Sequence, residues 1–168
     1  MEEELSVGEL LEKLLEIAVP LSPFEMPLLD AHGATLASDI YAGERLVLRS
    51  GMRIRSTQIG LAASIGLNRL PTLPHPRVVV ISAGDDLVEP GHQLKNTDDE
   101  FETNSWMLTT AVREAGANGF RVNNIPDNHQ RLKEVIEDQL VRADLIVISG
   151  AHHDESFELI SAVLRELG

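Results

Sequence analysis

The sequence predicts an α/β fold with a parallel sheet over residues 77–168, preceded by a small, mostly helical segment. Two observations support this fold class. The runs Val78–Ile81 and Leu145–Ile148 are apolar without interruption, which is typical of strands buried on both faces of a parallel sheet. Strand and helix patterns also alternate three times in this half of the chain, as they do in right-handed crossover units. We therefore expect the two runs to form adjacent, central strands.

The composition argues against several classes of function. The 168 residues include no cysteine, so disulfides, thiol nucleophiles and cysteine-bound zinc are excluded. The 27 acidic and 14 basic side chains give a formal net charge of −13, and such a surface repels the phosphate backbone of nucleic acids. The start lacks the pattern of a signal peptide, and no apolar run reaches the roughly 18 residues of a membrane span. We expect a cytoplasmic protein that binds no nucleic acid and does not span a membrane.

The first segment begins with a helix signal. Ser6 and Glu9 have the spacing of a capping box, and apolar residues at helical spacing predict an amphipathic helix over residues 7–18. The apolar stripe consists of Leu10, Leu11, Leu14, Leu15 and Ala18. Residues 25–40 have a mixed pattern, for which we also expect a helix.

The end of the first segment sets the domain boundary. Residues 45–49 alternate as a short strand does, and residues 56–66 have the small side chains and final glycine of a short helix. Residues 67–76 contain three prolines, which is typical of a stiff linker. We therefore expect an N-terminal segment over residues 1–66, this linker, and an α/β domain over residues 77–168.

The α/β domain has a regular order of elements. After the first strand we expect a polar loop and then a helix that begins at Thr103 or Asn104 and ends at Gly116. A weak strand, a helix with a capping box, a third strand and a final helix follow, over residues 119–123, 127–140, 144–148 and 156–167. Three strands are few for such a sheet. Either further strands or a partner chain would cover its open edge.

Polar residues follow the first strand of this domain. The strand ends at the turn Ser82-Ala83-Gly84, and the carboxylates of Asp85 and Asp86 come next. Open α/β sheets bind their ligands outside the carboxyl ends of the strands, so these carboxylates are candidate functional groups. The alternative is that they only turn and solvate the chain, since Gly-Asp pairs are common in turns.

A second candidate site is the sequence His152-His153-Asp154-Glu155. Adjacent histidines point to opposite sides of a strand and do not share a helix face. Both can bind one metal ion only from a loop. The alternative is a pair of exposed loop histidines.

Five short motifs together resemble one protein family. They are Ser-Val-Gly-Glu-Leu-Leu at 6–11, Gly-Met-Arg-Ile-Arg-Ser-Thr-Gln-Ile-Gly-Leu at 51–61, Ser-Ala-Gly-Asp-Asp at 82–86, Thr-Asn-Ser at 103–105 and Ser-Gly-Ala at 149–151. With these motifs the chain resembles the molybdopterin molybdenumtransferases, the family of MoeA and of the E domain of gephyrin. The similarity extends over nearly all 168 residues.

The resemblance implies both a fold and an activity. The fold is a three-layer αβα molybdopterin-binding domain, preceded by a segment over residues 1–66 that is similar to the first domain of MoeA. The activity is the insertion of molybdate into the dithiolene of adenylylated molybdopterin, with Mg²⁺ as cofactor and release of AMP. The resemblance also implies a homodimer.

The family's motifs imply roles for individual residues. Asp85 and Asp86 correspond to the family's acidic loop and would be catalytic, with Asp86 as the ligand of Mg²⁺. The residues that would bind molybdopterin are Ser82, Gly84, Asn104, Ser105, Ser149 and Gly150. Helix starts and small-residue turns present N–H groups to phosphate, and a carboxylate is a suitable ligand for Mg²⁺. The implied roles therefore agree with the chemistry of these residues.

The sequence departs from the family in several places. Residues 40–42 run directly into residues 43–45, where the family has a separate small domain with further carboxylates. Ala151 replaces a glycine, and Ser156 stands where an acidic residue is common. The chain also ends at Gly168, before the family's C-terminal part.

These departures leave three functions open. The first is a molybdenum cofactor transferase whose activity is impaired in this short form. The second is a non-catalytic scaffold that binds a protein partner in the manner of gephyrin, for example in bacterial cell division. The third is the related molybdopterin adenylyltransferase, which shares the strand–helix core but not residues 1–66.

Overall fold

The computed structural model describes residues 5–150 and 154–168 of the chain. Within these ranges it has ten strands and five helices. The described chain divides into two compact units between Pro74 and His75. Each unit has its own hydrophobic core. Among the described helices, none combines the length and the apolar character that crossing a membrane requires.

The first helix, α1, spans Val7–Ile17 and confirms the predicted amphipathic helix. The Ser6 hydroxyl accepts the backbone N–H of Glu9 at 3.3 Å, and the Glu9 carboxylate accepts the backbone N–H of Ser6 at 2.8 Å. These two bonds satisfy free N–H groups at the start of the helix. None of the residues of α1 is buried, so its apolar stripe is exposed.

The rest of the first unit is built mainly from strands. Its strands are β1 (Phe24–Pro27), β2 (Thr35–Leu36), β3 (Ile40–Ala42), β4 (Arg45–Leu48) and β5 (Arg69–Leu73), and its second helix is α2 (Ser56–Ser64). β5 is the middle strand of an antiparallel sheet in the order β1-β5-β2. The core of this unit consists of Ala31, Leu36, Leu48, Ile54, Ala62 and Leu70.

Two predictions for this unit are wrong. In place of the helix expected over residues 25–40, β1 and β2 pair with β5. The expected linker over residues 67–76 contains β5 itself. Pro71 has no N–H to donate, and it is tolerated because it lies just beyond the last residue pair of β2 and β5, Leu36 and Thr72. Its carbonyl still accepts the N–H of Ala37 at 2.9 Å. The first unit is therefore not mostly helical.

A tight hairpin stands at one of the places where the sequence departs from the resembled family. β3 and β4 are antiparallel, and Gly43 and Glu44 form the turn between them. The resemblance places the family's separate small domain at this point. β4 and α2 confirm the strand expected over residues 45–49 and the helix expected over residues 56–66.

The second unit contains a parallel sheet between helices. Its strands are β6 (Arg77–Ala83), β7 (Leu87–Val88), β8 (Glu100–Phe101), β9 (Asn118–Ile125) and β10 (Leu145–Gly150). Its helices are α3 (Asn104–Glu114), α4 (His129–Leu140) and α5 (Asp154–Leu167). β6, β9 and β10 form the parallel sheet in the order β10-β6-β9, and β7 and β8 form a separate two-stranded parallel ribbon.

The predicted pairing of the two apolar runs is confirmed, but the prediction that both are central strands is not. Val78 lies opposite Leu145 and Ile81 opposite Ile148 in parallel register. β6 is the central strand, whereas β10 has β6 as its only neighbour among the described strands. The prediction of two central strands is therefore wrong for β10, and Leu145 is 55% exposed.

Helices cover the two faces of the sheet. The core on one face consists of Val79, Ile81, Ala83, Ile125, Leu132, Ile136 and Val163, from the sheet, α4 and α5. On the opposite face α3 packs against β6 and β9, and the Thr109 carbonyl lies close over Gly119. This arrangement confirms the predicted three-layer α/β fold and brings the starts of helices to the ends of strands.

Candidate functional site

The carboxyl ends of β6, β9 and β10 meet at one edge of the sheet, as the sequence predicts. Ser82 lies opposite Ser149, and Ala83 lies opposite Gly150. The backbone N–H of Gly84 donates to the carbonyl of Ile125 at 3.1 Å, which ties the end of β6 to the end of β9. Four of the residues predicted to bind a ligand, Ser82, Gly84, Ser149 and Gly150, are thus brought together.

Two of these residues need the absence of a side chain. Gly150 has φ 140°, and a Cβ at this position would lie 2.1 Å from the Ala83 carbonyl oxygen. Gly84 has φ 154°, and its Cβ would lie 3.0 Å from a carboxylate oxygen of Asp86. Both φ values lie in the region that glycine alone enters readily. The two strands therefore approach each other closely at their ends and leave bare backbone at the edge.

The Ser82 side chain is the least satisfied polar group of this edge. It is 1% exposed, and its hydroxyl has no hydrogen-bond partner among the described residues. Because side chains alternate along a strand, Ser82 lies on the face opposite to Ile81 and Ala83, which is the face of α3. A buried hydroxyl without a partner is unfavourable, and a ligand at this edge would supply the missing partner.

The two candidate carboxylates differ in their surroundings. Asp85 is exposed, and its Oδ1 accepts the backbone N–H of Asp127 at 3.0 Å. Asp127 in turn accepts the hydroxyl of Ser156 at 2.7 Å, and Ser156 is buried. Asp86 is half-buried, and its carbonyl accepts the N–H of Glu100 at 2.9 Å. Asp85 is therefore held by the segment after β9, while the Asp86 main chain is held by β8.

Sequence reasoning missed Asp127 as a member of this edge. It placed Asp127 in a capping box, but Asn128 caps α4 by accepting the N–H of Arg131 at 2.9 Å. The available signal was position, because Asp127 follows β9 in the same way that Asp85 follows β6. The predicted strand over residues 119–123 was too short to reveal this, since β9 continues to Ile125.

The start of α3 is held by a carboxylate that sequence reasoning also missed. Glu102 is 1% exposed, and it accepts the backbone N–H of Ser105 at 2.7 Å and the Ser105 hydroxyl at 2.5 Å. Thr103 makes no side-chain capping bond. Among the predicted ligand-binding residues of this helix, Asn104 is half-buried, while Ser105 is fully buried and bonded to Glu102.

An arginine from β9 completes the polar cluster beside α3. The Arg121 guanidinium contacts both carboxylate oxygens of Glu89, and it lies 3.3 Å from Glu102 and 3.1 Å from the Ser105 hydroxyl. Its planar group also lies over the ring of Trp106, 4.2 Å from the centroid. One cation thus faces two carboxylates in a largely buried setting, where such pairs depend on good geometry.

Asp99 accepts hydrogen bonds within the loop between β7 and β8. Asp99 accepts the backbone N–H groups of Lys95 and Asn96 at 2.7 Å and 2.9 Å. The hydrogen bond from the Asn96 backbone holds the pKa of Asp99 below its ordinary value. Asp99 therefore stabilises the conformation of this loop, and it does not lie at the edge of the sheet.

The described residues contain no group of three histidine, aspartate or glutamate side chains placed to hold a metal ion. The predicted cluster at His152 and His153 lies outside the described residues, and the side chains of Asp154 and Glu155 are not described either. At the edge of the sheet, Asp85 and Asp86 offer oxygen donors of the kind that Mg²⁺ prefers. Mg²⁺ commonly uses one or two carboxylates together with substrate phosphates, so these residues fit a shared site.

Comparison with known proteins gives a consistent result. Residues 79–168 match the family described as "Probable molybdopterin binding domain". Molybdopterin molybdenumtransferase 2 of Mycobacterium tuberculosis is 38% identical over 122 residues, which cover 73% of this chain and 30% of that protein. Gephyrin of Dictyostelium discoideum is 29% identical over 79% of this chain and 20% of its own length.

Solved structures agree with the sequence comparison. The molybdopterin biosynthesis moea protein from Pyrococcus horikosii superposes with a TM-score of 0.60 at 33% identity, over 74% of this chain and 30% of its own. A molybdenum cofactor biosynthesis protein from Pyrococcus furiosus gives a TM-score of 0.63 at 25% identity, over 84% and 52%. The chain spans less than a third of the length of the mycobacterial relative.

Proposed function

The chain belongs to the MoeA-like family of molybdenum cofactor biosynthesis proteins, and on this premise we propose that its second unit binds molybdopterin at the edge where β6, β9 and β10 end. The observation that carries this proposal is the pair Ser82 and Ser149, which lie opposite each other with the Ser82 hydroxyl buried and lacking a partner in the described chain. Hydroxyl groups donate to phosphate oxygens. Gly84 and Gly150 beside this pair let a phosphate approach the backbone closely.

Asn104 contributes from the other side of this edge. It lies in the first turn of α3, where its amide is a donor and the helix start favours negative charge. Ser105 takes part only if Glu102 releases its hydroxyl, because Glu102 holds both the N–H and the hydroxyl of Ser105. The side chains proposed to bind molybdopterin therefore differ in one respect. Those of Ser82, Ser149 and Asn104 need not break a bond to Glu102, whereas that of Ser105 must.

Mg²⁺ belongs to this proposal as a shared ion. Asp86, with Asp85 beside it, would hold the ion together with phosphate oxygens of the substrate, and the ion would neutralise phosphate charge. Asp85 and Asp86 are a weak Mg²⁺ site by themselves, because Mg²⁺ commonly binds one or two carboxylates together with substrate phosphates. We expect calorimetry to detect Mg²⁺ binding in the presence of molybdopterin and much weaker binding in its absence. Equal Mg²⁺ affinity in both titrations would contradict a shared ion.

The test of molybdopterin binding is a matched pair of serine substitutions. Ser82→Ala removes the buried hydroxyl and is expected to weaken binding by about tenfold, as the loss of a hydrogen bond to a charged group does. Ser64→Ala is the control, because Ser64 is an exposed serine of α2 that bonds to the Leu61 carbonyl within its own helix. Equal affinities of Ser82→Ala and the unaltered chain would contradict the proposed site.

The proposed catalytic activity is molybdate insertion at an impaired rate. Among the side chains that the structure describes, the carboxylates at this edge are Asp85, Asp86 and Asp127, and Asp85 already accepts an N–H. Metal insertion needs several convergent carboxylates, and each missing contact of a few kcal/mol lowers the rate by roughly a hundredfold or more. An insertion assay with adenylylated molybdopterin is expected to show turnover far below that of a full-length relative. Comparable turnover would refute the impairment.

A scaffold function is the second candidate, and one surface favours it. A groove of about 860 Å³ runs along β10 and α5, and Leu145, Phe157 and Leu164 in this groove are 45–64% exposed. Large exposed apolar surfaces are typical of protein–protein contacts. Molybdopterin binding without turnover in the assays above would support the scaffold.

The cytoplasmic homodimer also stays a proposal. The edge of β10 that pairs with none of the described strands and the exposed stripe of α1 are surfaces that proteins normally cover. Sedimentation at micromolar concentration is expected to give a species of twice 18.4 kDa. Leu14→Glu, in the stripe of α1, is expected to shift it toward the monomer. A chain that sediments only as the monomer would rule the dimer out.

A further inference from the structure

We propose that Arg121 is a positioning residue of the molybdopterin site, which holds the Asp85-Asp86 turn and the start of α3 in one arrangement. The proposal rests on the function proposed above and names a residue that lies outside the edge itself. Arg121 is in β9, and its side chain is 14% exposed. Its ion-pair partners, Glu89 and Glu102, come from two segments that a loop connects.

The β7–β8 ribbon explains why two contacts can fix both segments. Leu87 pairs with Glu100 and Val88 with Phe101, so the ribbon closes the loop over residues 89–99. The N–H of Glu100 donates to the Asp86 carbonyl at 2.9 Å, and the N–H of Glu102 donates to the Val88 carbonyl at 2.8 Å. One end of the ribbon thus continues the Asp85-Asp86 turn, and the other leads into α3.

Arg121 holds both far ends of this ribbon. Glu89 follows β7 directly and Glu102 follows β8 directly, and the Arg121 guanidinium contacts both carboxylates. The contact with Glu89 uses two N–H groups on two oxygens, a planar geometry that arginine provides and lysine does not. Arg121 therefore connects the two strands of the ribbon through a single rigid group.

Burial makes the loss of this connection costly. The Glu102 side chain is 1% exposed and that of Glu89 is 27% exposed. Removing one partner of a buried ion pair leaves an uncompensated charge, which is more costly than losing an exposed pair. Without Arg121, Glu102 is expected to move toward water and to release Ser105, which loosens the first turn of α3 and displaces Asn104.

Trp106 supplies an optical signal for the same arrangement. It is the only tryptophan in the sequence, it lies one residue after Ser105, and the Arg121 guanidinium stacks on its ring. Indole emission depends on the groups that surround the ring. A change in the Arg121 contacts is therefore expected to change the emission of Trp106 directly.

The experiment compares Arg121→Met and Arg121→Lys with the control Arg131→Met. Arg131 is 62% exposed on α4 and pairs with Glu134, so its removal changes the net charge equally without touching the ribbon. Three quantities are measured on each full chain: amide exchange at Glu100, Glu102 and Ser105, the emission of Trp106, and molybdopterin affinity by calorimetry. Arg121→Lys keeps the positive charge and gives a folded variant if Arg121→Met unfolds.

The expected results form a graded series. Arg121→Met exchanges the three amides faster, shifts the Trp106 emission and binds molybdopterin about ten- to a hundredfold more weakly, the range expected when one or two hydrogen bonds to a charged ligand are lost. Arg121→Lys falls between this variant and the unaltered chain, because it retains the charge but not the planar contact. The control Arg131→Met matches the unaltered chain in all three measurements.

Two results would overturn the proposal. Unchanged amide exchange in Arg121→Met would show that Arg121 does not hold the ribbon. If Arg121→Lys exchanges these amides faster but binds molybdopterin with unchanged affinity, Arg121 stabilises the fold and does not position the site. If the unaltered chain binds no molybdopterin, the proposed function fails, and the role of Arg121 in holding the ribbon is decided by amide exchange and Trp106 emission alone.

Discussion

β6 and β10 have almost the same sequence pattern but different surroundings. Val78–Ile81 and Leu145–Ile148 are both four-residue apolar runs that a serine follows directly, and they pair in parallel register. Val80 is fully buried in β6, whereas Leu145 in β10 is 55% exposed. The pattern of a run thus predicts a strand, but neighbours in the sheet decide how far the strand is buried.

The largest expected effect comes from placing a charge in each strand. Val80→Asp buries a carboxylate without a partner in the central strand and is expected to lower the free energy of unfolding by about 4 kcal/mol or more. Leu145→Asp puts the same side chain at an exposed position of the edge strand and is expected to change it by about 0.5 kcal/mol or less. Urea unfolding measures both. Similar losses in the two variants would mean that β10 is as enclosed as β6.

The next effect tests how closely the two strands approach at their ends. Gly150→Ala places a Cβ against the Ala83 carbonyl oxygen, so backbone must move, and we expect a loss of about 2–3 kcal/mol. Gly8→Ala is the matched control in exposed α1, where nothing lies within 4 Å of the added Cβ, and it is expected to stabilise by about 0.5–1 kcal/mol. Thermal unfolding of both variants should therefore shift in opposite directions. A neutral Gly150→Ala would show that the strand ends are not tightly packed.

The same comparison shows how far sequence reasoning reaches. Both apolar runs, their pairing and the placement of Ser82 and Ser149 at one edge follow from local pattern and the rules of parallel sheets. The edge position of β10 does not, because it depends on which strands neighbour it. β5 was missed for a related reason: the three prolines of residues 67–76 indicated a linker, and Pro71 is acceptable in the strand only because it lies beyond the last residue pair with β2.

The polar cluster beside α3 shows a second limit. Glu102 and Arg121 are 19 residues apart, and nothing in the local sequence of either one predicts the contact. Buried ion pairs form where the fold brings distant charges together, so they are visible only after the sheet and α3 are in place. Ser105, in contrast, was located correctly at the helix start, but its N–H and hydroxyl both donate to Glu102.

A smaller effect separates stability from binding at the end of β6. Ser82→Ala removes a buried hydroxyl that has no partner in the described chain, so the free energy of unfolding is expected to rise by about 1 kcal/mol. The same variant is the one expected to bind molybdopterin more weakly, which makes Ser82 a position where stability is given up for function. Urea unfolding without ligand provides the measurement. A loss of stability would indicate a partner for this hydroxyl and weaken the case for a ligand there.

The smallest effect concerns pH and the two helices on the other face of the sheet. Lys133 of α4 donates to Glu166 of α5 at 2.9 Å, and this hydrogen bond lowers the pKa of Glu166 below its ordinary value of 4.5. A lowered carboxyl pKa stabilises the fold above the ordinary value, and the contribution is lost as the pH falls through the folded pKa. The same bond raises the pKa of Lys133 above 10.5, so that part of the contribution is complete at neutral pH and is lost only at higher pH.

Lys133→Met removes the main cause of the Glu166 shift and leaves the contact with His129 at 2.9 Å. The variant is therefore expected to be slightly less stable than the unaltered chain at neutral pH, and the difference is expected to disappear as the pH falls through the lowered pKa of Glu166 and the carboxylate becomes protonated. The side chains of Lys133 and Glu166 are 31% and 45% exposed, so water screens the pair, and the stability difference is expected to be small and to shrink with added salt. Lys13→Met in α1 is the control for charge. A stability difference that stays constant from neutral to acidic pH would show that Lys133 acts through packing instead of through Glu166.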